Sequence, residues 1–366
     1  MEFDYSKFYG YLMQFFFPLA AILTGLFIWA TYPAMLKKMS SSSLLLGREK
    51  EIKRLVNKIR TGQSGAIIGI FGQERTEILT CLRDSNLYGH EANNLVFSYV
   101  DISTLEPDCT PEQFWKKALE PLSKKMSLNG DLDKLFEQVK QTQSRLVLLL
   151  DRFHDIVHKP NLTQTTFLGK VRSLSTSVYP SPLCLIITAH KSLGKLHQEI
   201  TQEMNYSTSP FFNFMDVGEI TLGALSESDR DNILKRLKLP KKAQLFIKNE
   251  VGRHPYLLRI TTNRLTEACQ AHEENPVEVT KQYFNQQCKA LLKEMLPTWT
   301  SKMCQVFVQI VQGAFNHSDD YTEELEELEK QGLIKQEHAQ WQVLSPVFVK
   351  LLKEQDTPEL CSKKSL

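Results

Sequence analysis

Residues 64–82, SGAIIGIFGQERTEILTCL, hold the side chains best suited to phosphate chemistry. Their register follows the phosphate-binding loop G-x-x-x-x-G-K-[ST]. There, glycines let backbone N–H groups curl around phosphate oxygens, the lysine reaches the β- and γ-phosphates, and the hydroxyl holds Mg²⁺. Gly69 takes the first position, Gly72 lies inside the loop, and Glu74, Arg75 and Thr76 follow. Two informative positions depart from the pattern. Glu74 sets a carboxylate where a glycine should approach phosphate, and gives up glycine's conformational freedom. Arg75 brings a planar fork where the turn needs a compact ammonium. A second candidate, Asp151, is an acid that ends the apolar run 146–151. The next residue, Arg152, is a cation and cannot act as a general base. His154 and Asp155 are the nearby substitutes, or simply polar caps on the strand end.

These residues need rigid elements behind them. Residues 64–70 read as a buried strand leading through a glycine turn into a helix. Residues 95–101, 146–151 and 183–190 read as further buried strands, β-branched, aromatic or continuously apolar, with helical stretches at 114–126 and 132–139. A fifth strand is expected at 220–222, followed by a helix capped by Ser226 with Asp229. Strands alternating with helices predict a parallel three-layer α/β core. At 246–258, Gly252 suits a left-handed helix end and Pro255 the first turn of the next helix. The last hundred residues read as a helix at 302–312, a helix at 321–331, a strand pair at 332–334 and 341–344, and a final helix at 347–354.

The chain has 366 residues, 42% hydrophobic and 23% charged, enough for two or more domains at roughly 100–200 residues each. A net charge of +2 argues against a strongly basic nucleic-acid binder. Seven cysteines with no C-x-x-C pair suggest a reducing compartment, with neither a disulfide framework nor a zinc site. Residues 8–36 contain no charged side chain. About 20 apolar residues cross a bilayer as a helix, and Tyr9, Tyr11, Trp29 and Tyr32 stand where rings favour the interface. Lys37, Lys38, Arg48 and Lys50 follow the span, which places the N-terminus outside and the rest in the cytoplasm. The expected location is a membrane, the inner one if the cell is bacterial, with a single pass.

Residues 47–51, GREKE, together with the loop, the Asp151 strand and the Gly252–Pro255 turn, resemble AAA-type and STAND-class P-loop ATPases with degenerate Walker A and Walker B motifs. The resemblance covers about 47–355. It implies a P-loop NTPase-like core at 47–235, a helical lid at 236–295 and a winged-helix module at 296–355. These are preceded by the tail and transmembrane helix at 1–36 and a linker at 37–46, and followed by a tail at 356–366. It implies ATP or ADP with Mg²⁺ as cofactor, with Gly69, Gly72, Arg75, Thr76 and Pro255 around the nucleotide, Thr76 and Asp151 at the metal, and Asp151 as the catalytic residue if the protein is active. Thr188 or His190 would face the γ-phosphate, and Arg253 would be a phosphate sensor or a solvated arginine. A protein that holds no nucleotide also fits.

One expected function is a membrane-anchored scaffold or regulatory component, with little or no hydrolysis, in a membrane-associated complex or homo-oligomer. The alternative is an active signalling or defence ATPase using Thr76 and Asp151. DNA binding through the C-terminal module is disfavoured, because helix 321–331 carries five glutamates and phosphate contacts dominate DNA affinity. The run 211–214 reads as aromatic core.

Overall fold

A computed structural model describes residues 47–69, 72–126, 132–176, 181–204, 211, 219–296, 299–316, 319–337 and 340–354. The uncharged span 8–36 lies outside these residues. Among the described residues no helix is long and apolar enough to cross a membrane.

The core is a five-stranded sheet, β1 (Gly65–Ile68), β2 (Leu95–Asp101), β3 (Arg145–Asp151), β4 (Leu183–Ala189) and β5 (Glu219–Thr221), in the order β2-β3-β4-β1-β5. Every pairing is parallel, as the continuous apolar runs predict. All seven residues of β3 and of β4 are buried, since helices cover both faces. The two-residue period sorts their side chains. Leu146, Leu148 and Leu150 enter one apolar layer with helices α3 (Pro111–Met126), α4 (Leu132–Gln141) and α5 (Thr165–Thr176), while Val147 and Leu149 enter the other with α1 (Glu49–Thr61) and α2 (Gly72–Leu82). Phe211 stacks on Phe153 at 5.9 Å in the first layer, as expected for an aromatic core residue.

The parallel registers bring the C-terminal strand ends into one row. Asp101 lies opposite Asp151, and Ile68 opposite Ala189, so the β1 loop, Asp151 and Thr188 converge on one edge of the sheet. This edge lies where the strand order changes direction, between β1 and its neighbours, which is the usual crevice for ligands in open α/β sheets.

After β4 comes α6 (Leu193–Met204), and after β5 comes α7 (Glu227–Leu237), whose cap is the expected one: Ser226 Oγ accepts the Asp229 N–H at 3.0 Å. Helices α8 (Lys241–Phe246), α9 (Pro255–Gln270) and α10 (Pro276–Met295) follow, then α11 (Ser301–Gln312), α12 (Thr322–Lys330), the antiparallel pair β6 (Ile334–Glu337) and β7 (Gln340–Val343), and α13 (Pro346–Glu354). Helices α7 to α13 share a single apolar core that includes Leu257, Phe284, Trp299, Phe307, Leu328 and Phe348.

Two glycines set how the C-terminal segment meets the rest. Gly252 has φ +75°, and a Cβ there would lie 2.1 Å from the Leu344 carbonyl oxygen. Gly332 has φ +71°, and its Cβ would lie 2.4 Å from the Ala224 nitrogen. Both backbones approach more closely than any side chain allows, and both have positive φ.

Candidate functional site

The β1 strand hands Gly69 to the crevice, its N–H bonded to the Ala189 carbonyl at 3.0 Å. Helix α2 then begins at Gly72 and presents Glu74, Arg75 and Thr76 in its first turn. Arg75 is 3% exposed, and its Nη1 turns back to donate to the Gly69 carbonyl. Burial pulls its pKa down to about 10, against the pull of Asp151, so it stays a cation at neutral pH. Its Nε has no hydrogen-bond partner among the described residues.

The Glu74 carboxylate is held by an upstream arginine. It accepts from Arg48 Nε at 2.6 Å, and Arg48 also donates to Glu51 at 3.2 Å and to the Gly223 carbonyl at 2.7 Å. Arg48 is buried, and although burial alone would lower its pKa, the Glu74 carboxylate raises it. Glu74 is therefore neutralised by the GREKE segment. The repulsion of polyphosphate expected from Glu74 alone is offset by a partner 26 residues away.

Asp151 is 1% exposed and both its oxygens are occupied. Oδ2 accepts from Thr76 at 2.5 Å and from Tyr99 at 2.9 Å; Oδ1 accepts from Thr188 at 2.5 Å and from the Arg152 N–H at 2.9 Å. Burial first, then the Asp151 bond, pushes the Tyr99 phenol up, keeping it protonated as a donor. Thr188, expected to face a γ-phosphate, donates to Asp151.

Arg152 takes the left-handed conformation, φ 50°, and reaches sideways to Asp101 on β2, with Nε at 3.1 Å and Nη2 at 2.5 Å. This bidentate fork neutralises one of the two carboxylates that the β2–β3 register sets side by side. It holds the Asp101 carboxyl below its ordinary range in spite of partial burial, and raises the arginine in return.

His154 and His190 meet edge to face at 3.9 Å between ring centroids. Burial, then the partner imidazole and nearby cations, lower His154 to about 2; burial and then Lys191 lower His190 to about 4. His154 Nε2 lies 3.6 Å from Asp155, beyond hydrogen-bond range. The two side chains are therefore not joined by a hydrogen bond.

Arg253 pairs with the C-terminal segment. It faces Glu337 of β6 at 3.4 Å, and its carbonyl accepts the Leu225 N–H at 3.0 Å. Pro255 opens α9, and four residues later Arg259 places Nη1 2.6 Å from both oxygens of Glu77 on α2. The turn thus fastens the helical segment to the helix of the β1 loop. Tyr99, Asp101, Glu77 and Arg259 escape a motif-based reading, because their pairing depends on register and packing. Asp101 alone leaves a trace, as an acid closing a buried strand.

The fit to a magnesium nucleotide divides in two. For holding one, Arg75 keeps a spare buried donor, and Thr76 and Asp151 are adjacent. For hydrolysis, the position after Asp151 holds Arg152, a cation forked onto Asp101, where a water-orienting acid is expected.

No protein-family model and no curated protein matches the sequence. Among solved structures, a Walker-type ATPase of Pyrococcus abyssi is similar at TM-score 0.55 and 14% identity, covering 84% of this chain and 96% of that one. The ADP form of the Aeropyrum pernix ORC2 protein is similar at TM-score 0.48 and 11% identity, over 87% and 94% of the two chains. Drosophila ORC bound to DNA follows at TM-score 0.42 and 13% identity, over 86% of each. The first of these similarities, with the parallel sheet and the converging strand ends, shows a P-loop NTPase-like α/β core.

Proposed function

We propose that this chain is a P-loop ATPase-fold protein that has given up nucleotide turnover and serves as a scaffold or regulatory component of a membrane-associated protein complex. The observation that carries the reading is the closed ring of contacts around Asp151: four intrachain donors occupy its oxygens, and Arg152 behind it is forked onto Asp101. Phosphoryl transfer depends on a cation, a metal and a water-orienting group acting together. Here Arg75 is turned back to Gly69, and Arg152 stands where the third group is expected. Arg75, Thr76, Asp151 and the first turn of α2 would hold a magnesium nucleotide, with Pro255 at the lid side. The bound ion would supply charge neutralisation at the phosphates.

The charge-free span 8–36 and the lysines after it support a membrane anchor with the core in the cytoplasm. The helix order of the C-terminal segment and its β6–β7 pair support a winged-helix module. Its α12 glutamates support protein contact rather than DNA: Glu327 is paired with Lys195 of α6 at 3.0 Å and Glu324 with Lys302 at 3.6 Å. A second reading, an active ATPase, is favoured by the Thr76–Asp151 pair and the spare Arg75 donor.

Steady-state phosphate release by the full chain with Mg-ATP separates the two. Turnover well below the enzyme range of roughly 1–10³ s⁻¹ is expected. Turnover within that range, abolished by Thr76→Ala, would establish the active reading.

A further inference from the structure

Between Asp231 and Glu250 the sequence contains no acid, but it contains Lys235, Arg236, Lys238, Lys241, Lys242 and Lys248. Arg236 is paired with Glu49 at 2.9 Å and Lys248 with Asp231 at 3.2 Å. The acids that flank the run are already engaged, Asp231 by Arg230 and Lys248, and Glu250 by Lys281 at 2.7 Å. Lys235, Lys238, Lys241 and Lys242 are exposed and form no ion pair among the described residues. They crowd the end of α7, the following turn and the start of α8. On α8, Ala243 and Phe246 turn into the core, while Leu245, one turn beyond Lys241, is 58% exposed. It is the most exposed large apolar side chain among the described residues.

The first described residues lie at this same corner. Glu49, the first residue of α1, is the partner of Arg236, and a Cβ on Gly47 would lie 2.9 Å from Leu225 and 3.2 Å from Ile233 of α7. Upstream lie only residues 37–46, which span at most about 36 Å even if fully extended, and then the uncharged run 8–36. Unpaired ammonium groups with one protruding leucine suit an anionic lipid surface, where the charges meet headgroup phosphates and the apolar side chain enters the interfacial zone. A short covalent tether to a membrane span keeps that surface within reach.

We propose that the α7–α8 corner, through Lys235, Lys238, Lys241, Lys242 and Leu245, docks on an anionic membrane surface and fixes the orientation of the core beside its anchor. The inference rests on the reading of 8–36 as a membrane span.

The full chain is reconstituted in nanodiscs of phosphatidylcholine, with and without phosphatidylserine, and carries Leu245→Trp as a reporter quenched by brominated lipid. Quenching above that of the parent chain is expected only with phosphatidylserine. It should fade in high salt, since the screening length is about 10 Å at 0.1 M and shorter above. A lysine at an anionic surface contributes roughly a fivefold factor, so Lys238→Gln, Lys241→Gln and Lys242→Gln together should weaken docking roughly a hundredfold and abolish the added quenching. Equal quenching in both lipids, or quenching that survives the triple change, overturns the proposal. So does a corner that ignores phosphatidylserine but binds polyglutamate or duplex DNA through the same lysines. The span is judged separately, by retention of the chain in phosphatidylcholine discs. If it is not retained, the anchor reading fails, and flotation on phosphatidylserine vesicles decides the corner: binding lost in the triple variant upholds it, and no binding overturns it.

Discussion

Replacing Glu74 by glycine, the residue a phosphate loop ordinarily carries at that position, should destabilise the protein instead of repairing the loop. The Arg48 side chain is 3% exposed and that of Glu74 12%, with 2.6 Å between the bonded atoms, so solvent screens the pair little. Removing one member of a buried ion pair costs about 3–5 kcal/mol, because the remaining charge is left without its counter-ion. Arg48 would retain Glu51, whose side chain is 20% exposed, and the Gly223 carbonyl, which sets the loss near the lower end, about 3 kcal/mol. Glycine in a helical turn adds up to about 1 kcal/mol. The assay is urea unfolding of the wild type, Glu74→Gly, Arg48→Met and the double variant. Because Arg48→Met also removes the stranded charge, the double variant should be more stable than the sum of the single losses allows, by about 1.5 kcal/mol or more. A Glu74→Gly protein within about 0.5 kcal/mol of wild type, or single losses that simply add, would refute the reasoning. The same logic applies to restoring the loop wholesale: Arg152→Glu would set a third carboxylate beside Asp101 and Asp151, so the triple change Glu74→Gly, Arg75→Lys, Arg152→Glu is expected to cost stability before it gains any nucleotide.

Asp151→Ala strands three hydroxyl donors, Thr76, Tyr99 and Thr188, and should cost about 2–4 kcal/mol in thermal or denaturant unfolding, with Asp151→Asn milder. His254 is fully buried and held neutral, its pKa lowered to about 3 by burial and then by Arg48. The unfolded chain takes up a proton near pH 6.5 that the folded one refuses, so this residue's contribution is intact above pH 6.5 and is lost as pH falls toward 3. The slope is about 1.4 kcal/mol per pH unit, and comparing denaturation at pH 7 and pH 5 in wild type and His254→Gln should show the variant less sensitive. Gly252→Ala and Gly332→Ala force a Cβ into backbone at a positive φ and should each cost more than about 1 kcal/mol, read as faster release of the C-terminal segment in limited proteolysis.

The strands were legible because a fully buried parallel strand is apolar along nearly its whole length, and residues 146–150 and 183–187 are. The Gly252–Pro255 turn was equally plain, since glycine and proline each restrict the backbone in one known way. The Ser226 cap needed only a neighbour three residues on. All of these depend on local geometry, and local geometry repeats wherever the same short string occurs. The departures at Glu74, Arg75 and Arg152 were also visible, as residue types that do not suit the loop's chemistry.

What those three residues do instead came only from the tertiary structure. Glu74 looks like a misplaced charge until Arg48 is packed against it, and Arg152 looks like a lost base until the β2–β3 register sets Asp101 next to Asp151. Glu77 and Arg259 are 182 positions apart, and no pattern in either segment points to the other. The strand order β2-β3-β4-β1-β5 decides which ends share an edge, and that order follows from how helices cover the sheet. A buried charge must find its partner wherever the fold brings one within about 3 Å, so the elements of this protein could be read from its sequence while the pairing of its charges had to wait for the packed chain.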